Sequence, residues 1–336
     1  MLGEILLRLN TLHNLFHMNP IFVALLLLML PYQNMEVGIC KMSTDKDFDI
    51  AANMGFEWHR GGVAWAGIEI NLWGYHFYWK DADRLVNDSV RTGIKMLWPL
   101  AFTPWWCSSK GNVTYEDPDY YTYPPNNMSA WYNFVKTIAE RYRGKITAWE
   151  IWNEEDLSYF WKGSVEEYVE LIKYAYLALK EVDENNTVVM GGLALGDAGV
   201  GSYNPHFLEE FLELGGSQYV DVYAFHVYGD TLLQRYEYMR NMLEKYGEEK
   251  PLWVTEFGAS TFEGGYTELG QALYIISGLL KMKNLGIERV MIYEFRDSGN
   301  NASDWESNLG IFRTDYSPKM VVFFLIIYLR IAHLMA

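Results

Sequence analysis

Two glutamates stand in runs where a charge is costly. Glu154 closes Trp149-Glu150-Ile151-Trp152-Asn153-Glu154, and Glu256 sits in Leu252-Trp253-Val254-Thr255-Glu256-Phe257-Gly258. Either one alone reads as a solvated residue at a strand end; two in apolar, aromatic surroundings reverse that reading. Paired carboxylates suit glycoside hydrolysis, in which one protonates the leaving oxygen while the other attacks the anomeric carbon or activates water. That chemistry requires elements that bring two distant segments face to face.

The chain has the pattern to do so. Short β-rich runs alternate with helical ones from Val37 onward, with no linker or charge block between them. Strands are expected at Val37–Cys40, Glu57–Trp65, Ile94–Phe102, Ile146–Asn153, Thr187–Gly192, Val220–Val227, Leu252–Glu256 and Val290–Phe295. Helices are expected to begin near Thr44, Asp81, Ser129, Leu232 and Thr267, and a capping box at Ser164-Val165-Glu166-Glu167 opens another. Gly93, Gly144, Gly247 and Gly286 fall where helices should stop. Eight parallel βα units make an α/β protein of the (β/α)8, or TIM-barrel, class with a single catalytic domain over residues 36–336. A doubly wound sheet is the competing architecture, and no glycine-rich phosphate loop supports it. In a barrel every strand's C-terminal end opens on one face, so Glu154 and Glu256 converge there. Period-2 alternation puts Glu150, Trp152 and Glu154 on one side of the fourth strand, with Glu154 at the mouth.

Composition narrows the partners. Lys and Arg number 27 against 43 Asp and Glu, a net charge of −16 that repels phosphate backbones and anionic membranes and argues against nucleic acid. Aromatic residues make up 16% of the chain, with 13 Trp and 25 Tyr, and flat rings suit the faces of sugars. Cys40 and Cys107 are the only cysteines, too few for a disulfide framework or a CxxC metal site; they are either two separate buried thiols or one bridge.

At the N-terminus, Ile21 to Leu30 is an unbroken apolar run closed by Pro31. It is short for a membrane span and fits the core of a signal peptide, so residues 1–35 read as a hydrophobic leader, cleaved or anchoring. The protein is then extracellular or membrane-tethered, and cytoplasmic if the run is no signal; membrane contact is expected only through this segment. Met320 to Leu329 is a second apolar run, interrupted by Arg330 and His333, and reads as a buried terminal helix.

The two glutamate segments resemble the fourth- and seventh-strand signatures of the retaining barrel glycosidases of clan A, most closely glycoside hydrolase family 39, with relatives in family 5. The resemblance covers Val37 to Leu329. Gly55-Phe56-Glu57-Trp58-His59-Arg60 is similar to the second-strand motif with its arginine, Phe102-Thr103-Pro104-Trp105-Trp106 to the loop after strand three, and Phe225-His226-Val227-Tyr228 to the sixth-strand His-x-Tyr. It implies a β-linked oligo- or polysaccharide substrate, double displacement through a covalent glycosyl-enzyme and no cofactor. Position by position, it makes Glu154 the acid/base and Glu256 the nucleophile. Asn153 binds the sugar 2-hydroxyl, Tyr228 hydrogen-bonds the nucleophile, and Arg60 keeps it ionised. A carboxylate beside a cation stays charged, and its neighbour, facing that charge, holds a proton near neutral pH.

Several residues keep two readings. Arg60 either serves Glu256 or only pairs with Glu150 inside the barrel. His226 orients a neighbour or contacts sugar rather than a metal, since no second His or Cys lies at metal-site spacing. Trp105 and Trp106 either stack on substrate or pack their loop onto the rim. Glu155 and Asp156, expected as solvated loop charges, are the nearest rivals for the acid. Where many clan A enzymes end strand eight with a tryptophan, this chain has Tyr293-Glu294-Phe295-Arg296-Asp297. Trp305 can substitute from the following loop, and Glu294 either contacts sugar hydroxyls or packs in the interior. The competing functional class is a non-catalytic carbohydrate-binding barrel, tethered or not; two buried like charges argue against it. A membrane-anchored display scaffold is a third.

Overall fold

A computed structural model describes residues 35–335 except 73, 75, 197, 198 and 200. The expected leader lies outside the described residues, apart from Met35, which packs in the core. The barrel has eight strands: β1 (Glu36–Cys40), β2 (Trp58–Arg60), β3 (Lys95–Leu100), β4 (Ala148–Ile151), β5 (Thr187–Met190), β6 (Tyr223–Tyr228), β7 (Leu252–Gly258) and β8 (Arg289–Ile292). All pair in parallel, in the order β5-β4-β3-β2-β1-β8-β7-β6. The two ends of that sheet meet. Parallel bridges join Val189 to Val222 and Leu193 to Phe225, and the amides of Met190, Leu193 and His226 bond across the join to Val222, Ala224 and Leu193. The eight-stranded barrel is thus a nearly closed cylinder, as the repeat of βα units requires.

The expected helices form where their caps stand. Thr44 and Asp47 exchange bonds at the start of α1 (Asp45–Met54). After the short α2 (Trp65–Ile68) come α3 (Lys80–Thr92) and α4 (Met128–Arg141), and Ser164 with Glu167 caps α5 (Val165–Val182). The remaining helices are α6 (Phe207–Glu213), α7 (Leu232–Lys245), α8 (Glu268–Asn284) and α9 (Met320–Met335). Their apolar faces and the outward strand residues form one layer of core, and Cys40, Trp58, Leu97, Ala148, Val189, Val222, Ala224, Trp253 and Met291 fill the barrel interior. At the N-terminal end of the strands the Arg289 guanidinium lies between the rings of Trp58 and Trp253 and donates to Glu36, a polar plug opposite the mouth. The C-terminal run is indeed a helix packed on the barrel, with Val321, Leu325 and Leu329 buried. Among the described residues no helix is long and apolar enough to cross a membrane.

Two expectations need correction. The second strand ends at Arg60, not Trp65: Gly61 and Gly62 pass so close to the His59 and Trp98 rings that a side chain would collide, and Trp65 starts α2, buried against Trp131 and Phe134. In the fourth strand the alternation stops at Ile151. Trp152 takes a positive φ of 78°, so its ring falls into the outer layer against Phe102 and Trp161 instead of sharing the side of Glu150. Cys40 and Cys107 are separate buried thiols.

Candidate active site

The site is built on Arg60, the last residue of β2. Its guanidinium is buried and donates from Nε to Glu150 Oε2 at 2.5 Å, from one terminal nitrogen to Glu256 Oε1 at 2.6 Å and from the other to Asn153 Oδ1 at 2.8 Å. One planar fork thereby ties β2, β4 and β7 together, which a point-charge ammonium cannot do. The two sequence readings of Arg60 hold at once: it is the structural partner of Glu150 and the neighbour of Glu256. Glu150 is fully buried, and its other oxygen accepts the Gly192 amide at 3.2 Å.

Glu256 owes its direction to an irregularity. Phe225 pairs with Val254 but His226 pairs with Glu256, so Thr255 is an extra residue on β7. Such a bulge bends the strand and re-aims the side chains beyond it, and here it presents Glu256 at the mouth. Tyr228 donates to Glu256 Oε2 at 2.5 Å, so both carboxylate oxygens are occupied by donors. Burial alone pushes this carboxyl up. The charges of His226 and Arg60 and the hydrogen bonds from Tyr228 and Arg60 outweigh it and hold Glu256 below the usual carboxylate range.

Glu154 lies just past β4, half-buried, at a positive φ of 47° that turns its side chain toward the mouth. His226 on β6 lies between the two acids, with Nδ1 at 2.7 Å from Glu154 Oε1 and 3.6 Å from Glu256 Oε2. Burial pushes the imidazole down, but the Glu256 charge and the hydrogen bond and charge of Glu154 prevail and leave it above its ordinary value, so Nδ1 carries a proton toward the acids. The reactive atoms of Glu154, His226 and Glu256 all lie within 4.8 Å of one another. A carboxylate-imidazole-carboxylate set has the donor types of a transition-metal site. The Glu256 oxygens are already engaged, however, and the Arg60 guanidinium would face any cation held there. Hydrogen bonding accounts for the trio.

These groups line a cavity of about 1140 Å³ that also takes in Lys41, Phe102, Asn153, Tyr159, Phe160, Arg235, Tyr293, Trp305 and Glu306. Asn153, its oxygen taken by Arg60, has its amide N–H groups to offer. Trp305 does reach in from the loop after β8 and packs edge-on to Tyr228. Trp105 does not line the cavity: its indole donates to the Ile70 carbonyl and that of Trp106 to Glu69, so these two tryptophans fasten their loop to the rim. Nor does Glu294, which is 1% exposed, lies behind the lining in an ion pair with Lys41 at 3.2 Å, and is pushed up to about 7 by burial. Tyr293 occupies the lining position instead.

Glu155 and Asp156 are not solvated. Each is 2% exposed, Glu155 against Gly191 and Asp156 accepting the amides of Ala194 and Leu195. The chain doubles back after Glu154 and takes both behind the mouth, which removes them as rivals for the acid. Sequence reasoning missed Lys41, Tyr159, Phe160, Arg235 and Glu306. All lie on loops or in the first turn of a helix, where neither strand periodicity nor a motif marks them.

The model of the family described as glycosyl hydrolase catalytic core matches residues 126–303. A β-xylosidase of Caldicellulosiruptor saccharolyticus is 31% identical over 123 residues, which are 32% of this chain and 23% of that protein. The chain therefore spans under a quarter of the curated relative. Among solved structures, a family 39 glycoside hydrolase from Bacteroides cellulosilyticus WH2 superposes with a TM-score of 0.71 at 21% identity, covering 88% of this chain and 64% of that one. A family 39 β-xylosidase from Caulobacter crescentus superposes with a TM-score of 0.68 at 20% identity, over 90% and 72% of the two chains. These superpositions establish a shared barrel.

Proposed function

The chain belongs to the glycosyl hydrolase catalytic core family, and from that premise we propose that it is a retaining β-glycosidase with Glu256 as nucleophile and Glu154 as acid/base. The observation that carries this reading is the spacing. A Glu154 oxygen lies within 4.8 Å of a Glu256 oxygen, near the roughly 5 to 5.5 Å of pairs that form a covalent intermediate and short of the roughly 6.5 to 9.5 Å that admit a water between them.

The partners of each acid divide the labour. Glu256, kept ionised by Arg60 and His226, attacks the anomeric carbon while Glu154 delivers its proton to the departing glycosidic oxygen. The glycosyl ester so formed removes the Glu256 charge that Glu154 faces. Glu154, now a base, takes a proton from water as the water attacks the anomeric carbon and releases Glu256. Asn153 supplies donors for the sugar hydroxyl beside the anomeric centre, and Trp305 supplies a flat face for the ring. The substrates are β-linked oligo- or polysaccharides. β-Xylosides are the first to assay, because the relatives named above include β-xylosidases.

Incubation with 2-deoxy-2-fluoro β-glycosyl fluorides, followed by intact mass measurement and peptide mapping, tests this. The expected result is one added sugar on Glu256. Hydrolysis with inversion of the anomeric centre and no labelled peptide would overturn it.

A further inference from the structure

The cavity-lining cations among the described residues are Lys41, Arg60 and Arg235. Two have carboxylate partners: Lys41 has Glu294, and Arg60 has Glu150 and Glu256. Arg235 has no carboxylate within 4.0 Å among the described residues, in a chain carrying a net charge of −16. It projects from the first turn of α7, half-buried, and spends one terminal nitrogen on the His226 carbonyl at 2.6 Å. That bond fixes the head and leaves the other guanidinium donors toward the cavity. Burial draws Arg235 below the ordinary arginine range, with the charges of Glu154 and Asp156 opposing it only in part. Holding a half-buried cation with no carboxylate in contact is costly, and a ligand's counter-charge would offset that cost.

Its position says which part of a ligand that is. Arg235 is held by His226, the residue that bonds Glu154. The loop after Glu154 brings Tyr159 and Phe160 to the same cavity, with Tyr159 53% exposed. With Glu154 as the acid, an assignment that rests on the glycosidase reading above, this is the side on which the leaving group departs. We propose that Arg235 makes this side of the cavity selective for leaving groups that carry a carboxylate, such as an acidic sugar or an aromatic acid. The guanidinium fork matches a carboxylate bidentately, and the Tyr159 and Phe160 rings cover the body of the same group.

The test compares two β-D-xylosides, of 3-carboxy-4-nitrophenol and of its methyl ester, on the wild type, Arg235→Gln and Arg235→Lys. The acid-to-ester ratio of kcat/KM divides out leaving-group electronics and any general damage to the variant. Arg235→Gln is expected to lower this ratio by about 10- to 100-fold, the effect of a hydrogen bond to a charged group. Arg235→Lys, which keeps the charge without the fork, should fall between, and it carries the test if the glutamine variant does not fold. An unchanged ratio overturns the proposal. If the wild type hydrolyses neither glycoside, the xylosidase reading fails, and calorimetric binding of 3-carboxy-4-nitrophenol decides on Arg235 alone. Binding at least about tenfold weaker in Arg235→Gln upholds the anion site; equal binding, or none, overturns it.

Discussion

At the scale of single residues, the site favours the charged form of one carboxylate, Glu256. Tyr228 matters because its hydroxyl can bond only as a donor to the ionised Glu256. Tyr228→Phe removes a group that favours the charged form, so the Glu256 carboxyl rises. The acid limb of the kcat/KM profile, which in the proposed mechanism requires ionised Glu256, is expected to move to higher pH by about one unit, the size of one such bond. A limb that stays in place would dissociate Tyr228 from the ionisation of Glu256. Glu154 and Glu256 were legible in the sequence because each stands near a strand end, where topology alone brings side chains together, whereas Arg60, His226 and Tyr228 were marked by the resemblance to the clan A motifs. Glu155 and Asp156 were misread for a complementary reason. Their burial follows from the left-handed backbone at Trp152 and Glu154, and two non-glycine residues in that conformation leave no mark in composition or spacing. Glu294 was named in the sequence as facing either sugar or the interior, and its burial outside the cavity lining decides for the interior.

At the scale of elements, the irregular stretches aim the chemistry and the regular ones hold it. Every one of the eight strands was legible, and the starts of α1, α4, α5 and α8 carry side-chain caps; α2 and α6, short and without a side-chain cap, were not legible. The bulge at Thr255 and the bare backbone after β5 were invisible, since both are departures from the period that reveals a strand. Gly192 illustrates the second. A Cβ there would meet His226 Nε2 at 2.2 Å and Thr255 Oγ1 at 2.4 Å, so the imidazole is seated against a position that only glycine leaves open. Gly192→Ala is expected to tilt His226 away from Glu154. Overpacking of this kind costs about 1 to 3 kcal/mol of stability, readable in urea unfolding. Activity should fall by at least about 100-fold, as a 1 Å misplacement at a catalytic centre does. Unfolding and turnover that both match the wild type would show that β5 tolerates a side chain and that His226 is seated by other contacts.

For the molecule as a whole, the barrel stores several acids where water cannot reach them, and this gives folding a pH dependence. Glu294 is the clearest. Its carboxyl moves from 4.5 to about 7, raised by burial against the opposing charge of Lys41. Because the folded value lies above the unfolded one, the folded state holds this proton more tightly. Stability from this group is intact below about pH 4.5, is lost as the pH rises toward 7, and stays constant above it. Wild type compared with Glu294→Gln by chemical denaturation should therefore lose on the order of 2–3 kcal/mol between pH 4.5 and 7.5. Parallel curves across that range would remove Glu294 as the source.

The seam between β5 and β6 has a consequence for the life of the enzyme. The Glu154 amide donates to the Gly192 carbonyl, on one side of that seam, and its imidazole neighbour stands on the other, so the join that completes the cylinder also sets the distance between them. The cylinder's other neighbouring strands are paired as ladders, two of them interrupted by register shifts on β7, and this one is held by isolated bridges. Local opening has its lowest free energy where a structure is least knit. On warming, the amides of Met190 and Leu193 should exchange with deuterium before those of β1 and β8, and turnover should fade in step with them while the rest of the barrel stays folded. In this molecule thermal inactivation is then an unzipping of one joint, and its half-life measures the seam rather than the global fold.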